Sequence, residues 1–88
     1  MKKKALLIEN RLGLHARAAA QIVKSAGAFS SKIMLMKDGL EVDGKSIMGI
    51  MMLAASKGST VRLTAAGADE AEAMQTIGDL ITNGFGEE

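Results

Sequence analysis

The sequence contains no cysteine, proline, tryptophan or tyrosine, and only one histidine. Without cysteine there are no disulfides, no thiol chemistry and no Cys-ligated zinc. A single imidazole cannot build an intramolecular multi-histidine metal site, so neither a metal nor another cofactor is expected. Phe29 and Phe85 are the only aromatic rings, so the core must be aliphatic. There is also no stacking platform of the kind that reads single-stranded nucleic acid. The formal net charge is +1, too small to draw nucleic acid or an anionic membrane surface. No apolar run approaches the roughly 20 residues needed to cross a bilayer. The opening MKKKALLIEN sets three lysines before an apolar stretch, as a signal peptide does, but that stretch stops at Glu9, short of a signal core. The cytosol is the expected compartment.

What remains is a chain of 88 residues, 48% hydrophobic and 24% charged, expected to form a single domain over residues 1–88. Residues 5–9 read as a strand with Leu6 and Ile8 on one face. A turn containing Gly13 follows. From Ala16 to Ala26 the period becomes helical, with Ala16, Ala19, Ala20, Val23 and Ala26 as the apolar stripe, Arg17, Gln21 and Lys24 away from it, and Gly27 closing the helix. SKIMLMKDGLEVDG alternates like a hairpin about Asp38-Gly39, with Ile33 and Leu35 on one face and Leu40 and Val42 on the returning strand. Met34 and Met36 then fall on the opposite, open face. Ser46 opens a short helix to about Ala55, Val61, Leu63 and Ala65 mark a fourth strand, and Asp69 followed by Glu72 marks a helix start. The last helix turns Met74, Ile77 and Ile81 inward and ends at Asn83-Gly84, leaving GFGEE as a frayed tail. The order β-α-β-β-α-β-α predicts an α+β domain in which one antiparallel sheet carries its helices on a single face.

The lone imidazole sits at an informative place. His15 immediately precedes the first helix, where unpaired N–H groups and the positive end of the helix dipole favour an anion. Near pH 7 an imidazole is largely neutral and nucleophilic. A phosphoryl group placed on it would meet the backbone donors of Ala16, Arg17 and Ala18 and the Arg17 guanidinium. Phosphoryl transfer needs chiefly positioning and charge stabilisation, and these groups offer both. The spacing alone fits better a histidine that caps a helix or sits in a turn and an arginine that is merely solvated.

LGLHARAAAQIVKSA resembles the active-site segment of the histidine-containing phosphocarrier (HPr) family of the phosphoenolpyruvate-dependent phosphotransferase system. KSIMGIMMLAASKG resembles that family's regulatory serine and second helix. The resemblance extends over essentially the whole chain. It implies an open-faced β-sandwich of four antiparallel strands and three helices, phosphate carried on Nδ1 of His15, and Arg17 steadying it. It implies a phosphocarrier rather than a stand-alone enzyme, taking phosphate from enzyme I and passing it to A-type acceptor domains. The chain departs from the family at Ala18, where proline is usual. Alanine keeps helix propensity but does not preset the backbone of the first turn.

Ser46 by itself reads as the cap of the second helix. The resemblance adds regulatory phosphorylation there by an HPr kinase/phosphorylase, and a phosphate is welcome at a helix start. The helix that follows is apolar almost all round. With Ile50, Leu53 and Ala54 turned to the sheet, Ile47, Met48 and Met51 are left outward, suited to docking several partners. Together with Ala20 and Lys24 on the first helix they form the expected partner face of a monomer. Two other readings stay open. The Asn-x-Leu-Gly opening and the Asn-Gly-Phe acidic tail also resemble the nitrogen-branch paralogue NPr, and a non-phosphorylated regulatory module would use His15 only as a cap.

Overall fold

A computed structural model of the chain describes residues 1–86. The elements are β1 (Lys2–Leu7), α1 (Ala16–Ala26), β2 (Lys32–Lys37), β3 (Leu40–Asp43), α2 (Ile47–Met52), β4 (Thr60–Ala66) and α3 (Glu70–Thr82), followed by one 3-10 turn over Gly84–Gly86. The strands form one antiparallel sheet in the order β1-β4-β2-β3. The expected α+β order is therefore present, with the sheet's other face left open.

The register explains the two faces. Leu6 lies opposite Val61, Leu63 opposite Leu35, Leu35 opposite Val42 and Ile33 opposite Ala65. Opposed residues share a face, so these side chains make one aliphatic layer. Ala18, Ala19, Ile22 and Ala26 of α1, Ile50 of α2 with Leu53 just after it, and Ala73, Ile77 and Ile81 of α3 close over it. Each fully buried Ile or Leu contributes about 1.5–3 kcal/mol. Met34 and Met36 fall on the opposite face and are half-buried. Asp38 and Gly39, at φ +51° and +83°, make the mirror-image turn that suits the twist of the hairpin.

The structure corrects several expectations. β1 begins at Lys2 rather than Ala5, because Lys2, Lys3 and Lys4 pair with Ala65, Thr64 and Leu63. β1 is an edge strand, where lysines keep their charge in water and discourage further pairing. In α1, Ala16 and Ala20 are exposed and Val23 is half-buried, while Ala18 and Ile22 are buried. Ile22 is the largest apolar side chain of that helix and sets the centre of the stripe. α2 ends at Met52 rather than near Ala55, because Ala54 turns to φ +49° and is exposed. Gly84 and Phe85 are not frayed: Phe85 is buried against the core at φ +59°. Glu87 and Glu88, the rest of the tail read as frayed, lie outside the described residues.

Asp69 starts α3 but does not cap it. Its carboxylate reaches back across the fold, accepting hydrogen bonds from the Ser30 N–H at 2.9 Å, the Ser31 N–H at 3.0 Å and the Ser31 hydroxyl. Glu70 instead takes the Gly67 N–H at 3.1 Å and pairs with the Met1 ammonium at 2.9 Å. The Ser31 hydroxyl first, and then the Ser30 N–H, hold the Asp69 carboxyl down to about 2. The ionised form is thus bound more tightly in the folded chain than in the unfolded one. Its contribution is complete above the ordinary carboxylate range and fades as pH falls through that range toward 2. Asp69→Asn should therefore melt at a lower temperature than the parent at pH 7, with the gap closing between about pH 4 and 2. Parallel thermal melts across that window check it, and a gap independent of pH would assign the loss to packing rather than charge.

Candidate phosphate-accepting site

The site begins with a closed turn. The Asn10 side-chain amide is buried and donates to the Gly13 carbonyl at 2.7 Å, while the Gly13 N–H donates to the Asn10 carbonyl at 3.1 Å. Gly13 has φ +64°, and a Cβ there would run into the Ala55 carbonyl and come 2.8 Å from Ser56 Cα. Glycine is thus required on two counts, conformation and space. The next N–H, of Leu14, donates to the Ala55 carbonyl at 2.9 Å. This bond explains why α2 stops early: the chain after Met52 turns to meet the loop that leads into α1. Gly84 packs on the other side, where a Cβ would lie 3.6 Å from Asn10 Cβ.

Held in this way, His15 occupies the N-cap of α1 in extended backbone, φ −75° and ψ −179°. It is half-buried. Its carbonyl accepts the first helical bond, from the Ala19 N–H at 2.8 Å. The side chain does not cap the helix, so the capping role open at the sequence level is not what the imidazole performs. The N–H groups of Ala16, Arg17 and Ala18 precede that first bond and have no acceptor within the helix. No acidic residue stands in this first turn. Arg17 and Ala16 are exposed, whereas the Ala18 methyl is fully buried, so alanine in the usual proline position packs into the core while its backbone faces the helix start. The arrangement places the imidazole and Arg17 at the same helix start as three N–H groups that have no acceptor within the helix. Among the described residues no three His, Asp or Glu side chains are grouped to hold a metal ion.

Ser46 stands at the second helix start. Its backbone is extended, and its hydroxyl accepts the Gly49 N–H at 3.1 Å, a side-chain cap of α2. The preceding turn is fixed by Asp43, which accepts the Lys45 N–H at 2.8 Å and, through its carbonyl, the Ser46 N–H at 3.1 Å. Lys45 extends its ammonium to the Phe29 carbonyl at 2.8 Å.

α1 and α2 pack against each other, which brings the expected partner residues onto neighbouring elements. Ala20 and Lys24 are exposed on α1, and Ile47, Met48 and Met51 on α2. Ala54, read as sheet-facing, is outside instead. The exposed apolar residues that escaped the sequence reading include Met52 and Leu12. Met52, 65% exposed, lies four residues after Met48 on the same side of the helix. Leu12, 61% exposed, tips the turn before His15. Its signal was a leucine between Arg11 and Gly13, an apolar side chain in a segment that has no strand or helix face to bury it.

Comparison with known proteins agrees with this geometry. The family model PTS-HPr, described as the PTS HPr component phosphorylation site, matches residues 2–83. The phosphocarrier protein HPr of Neisseria meningitidis serogroup A is 51% identical over 87 residues, spanning 99% of this chain and 98% of that protein. Among solved structures, HPr-C-His from Thermoanaerobacter tengcongensis superposes with a TM-score of 0.96 at 51% identity, covering 100% of this chain and 99% of the other. An HPr dimer from the same organism gives a TM-score of 0.79 at 50% identity, covering 99% and 100% of the two chains.

Proposed function

This chain belongs to the PTS HPr family and is a phosphocarrier, and we propose that it accepts a phosphoryl group from phospho-enzyme I on His15 and hands it to an A-type acceptor domain. The observation that carries the assignment is the helix start at His15. The only imidazole of the chain stands before three N–H donors that have no helical acceptor, with Arg17 in the same turn and no carboxylate there to repel phosphate. In each transfer a ring nitrogen, Nδ1 by family resemblance, forms the new N–P bond as the bond from phosphorus to the donor breaks. The first-turn donors and the Arg17 guanidinium then neutralise charge on the three peripheral oxygens. The reverse sequence releases the group to the acceptor.

Incubation with phosphoenolpyruvate and enzyme I, followed by intact mass measurement, should show one added phosphoryl group that is lost on acid treatment, as a phosphoramidate is. An unchanged mass would reject the assignment. Arg17 is exposed, so Arg17→Ala should leave stability within about 0.5 kcal/mol. It should slow transfer about ten- to hundredfold, the worth of a hydrogen bond to a charged group. Rapid-quench phosphorylation beside a thermal melt separates the two, and a large loss of stability with normal transfer would make Arg17 structural.

Ser46 is read as a regulatory phosphorylation site for an HPr kinase/phosphorylase, and Ala20, Lys24, Ile47, Met48 and Met51 as the docking face, extended by Leu12 and Met52. The working unit is taken to be one chain in the cytoplasm; no helix of the described residues is long and apolar enough to cross a membrane. The opening Asn10-x-Leu12-Gly13 and the ending Asn83-Gly84-Phe85 favour a second reading, the nitrogen branch. Which acceptor domain, sugar-specific or nitrogen-type, drains phosphate from phospho-His15 faster distinguishes the branches.

A further inference from the structure

Three of the seven methionines stand together and exposed on α2. Met48 is 72%, Met51 42% and Met52 65% exposed. Met48 and Met52 are four residues apart and Met51 lies between them, so the three thioethers share one outward stripe of a helix whose other side is held by Ile50. Of the others, Met34, Met36 and Met74 are half-buried. Met1 is exposed but lies just before the edge strand β1, its ammonium on Glu70. Three of the four exposed thioethers, Met1 being the fourth, therefore stand on the surface read as the docking face.

We propose that Met48, Met51 and Met52 are a reversible oxidation site through which hydroperoxides block phosphate transfer. The inference rests on the docking reading of α2. In the step itself a thioether sulfur attacks the outer peroxide oxygen. The O–O bond breaks, an S–O bond forms, the sulfur is oxidised by two electrons, and water or an alcohol leaves. The product is a sulfoxide, which is polar and a strong hydrogen-bond acceptor where a soft apolar group stood. On the free carrier this change is harmless, because the stripe is in water and α2 keeps its cap and its buried Ile50. On docking, each sulfoxide must be desolvated against a surface shaped for thioethers. Chemistry at His15 is untouched, so the effect is one on association. Methionine sulfoxide reductase, drawing two electrons from a thiol reductant that becomes a disulfide, removes the oxygen as water and restores the face.

The test treats the intact chain with hydrogen peroxide until peptide mass mapping shows sulfoxide at Met48, Met51 and Met52. Phosphorylation by enzyme I is then measured over a range of carrier concentrations. KM should rise about tenfold, the effect of one poorly compensated polar group in an interface, with kcat little changed and the thermal melt retained. Methionine sulfoxide reductase with dithiothreitol as reductant should reverse the rise. In a variant with Met48→Leu, Met51→Leu and Met52→Leu, the ratio of KM after and before peroxide should stay near one, although Met1 is still oxidised. Equal KM for oxidised and untreated parent overturns the proposal, as does a loss that the leucine variant shares or one that accompanies unfolding. Unoxidised Met48→Glu separates this outcome from failure of the docking reading. If Met48→Glu raises KM and the sulfoxides do not, only the oxidation site is lost. If Met48→Glu also transfers like the parent, α2 is not the docking face.

Discussion

His15→Ala is expected to abolish phosphate acceptance from enzyme I while leaving the fold intact. No second imidazole exists to take over. Ser46, the other proposed phosphate site, is a hydroxyl engaged in capping α2 and cannot make the N–P bond on which the reversible hand-over depends. The fold should survive because α1 is opened by the His15 carbonyl, which receives the Ala19 N–H, and not by the imidazole as a cap. The loop is fixed upstream, by the Asn10–Gly13 turn and the Leu14–Ala55 bond. Loss of one half-buried side chain costs about 1 kcal/mol, the typical size of a single-substitution effect, which a folded domain tolerates. Intact mass after incubation with phosphoenolpyruvate and enzyme I should therefore equal the starting mass, beside a thermal melt close to the parent's. Acceptance at the parent's rate would place the phosphate elsewhere. A collapsed melt would make the imidazole structural, and the extended N-cap geometry argues against that.

How far the chain could be read in advance depends on whether a residue's role is local. The hairpin was legible because Asp38-Gly39 alone dictates its turn and alternation alone dictates its faces. His15, Ser46 and the outward Ile47, Met48 and Met51 were legible for the same reason: a helix start and a helix face are properties of neighbours in sequence. What was missed was decided at long range. Nothing near Asp69 tells that its carboxylate will leave its own helix for Ser30 and Ser31, 39 and 38 residues away. Nothing near Met52 tells that α2 must break off so that the Ala55 carbonyl can receive Leu14. Phe85 reads in sequence as part of a frayed tail, whereas the fold buries it in the core. The lysines of β1 were passed over because charge usually marks an end of a strand, whereas an edge strand accepts it. The standing of His15 and Ser46 at helix starts was readable, and the long-range contacts that fix those starts in place were not.

Ser46→Asp turns on the same distinction between local and docked environments. In the free carrier the substitution is favourable or neutral. Ser46 Oγ accepts the Gly49 N–H at 3.1 Å, a carboxylate can accept the same donor, and a negative charge at a helix start contributes about 0.3–1 kcal/mol at an exposed site. The thermal transition should stay level or rise. In a docked complex the sign reverses. Ile47 and Met48, the next two residues, are 42% and 72% exposed, and a partner that covers them must strip water from the neighbouring carboxylate. Lys45 offers little compensation, since its ammonium already donates to the Phe29 carbonyl at 2.8 Å. A charge buried without a counter-charge costs roughly 3 kcal/mol, so KM for phosphorylation of His15 should rise on the order of a hundredfold. A phosphate at Ser46, with about −1.5 to −2 charges at pH 7, should do at least as much. Ser46→Ala divides the two effects, because it loses the cap, about 1 kcal/mol of stability, yet introduces no charge and should accept phosphate at close to the parent's rate. Melts and concentration-dependent phosphorylation of the three proteins give the pattern directly. If Ser46→Asp and the parent show equal KM, α2 does not meet enzyme I and Ser46 is a cap and nothing more. If Ser46→Ala is slowed as strongly as Ser46→Asp, the hydroxyl itself is a contact and charge is not the switch.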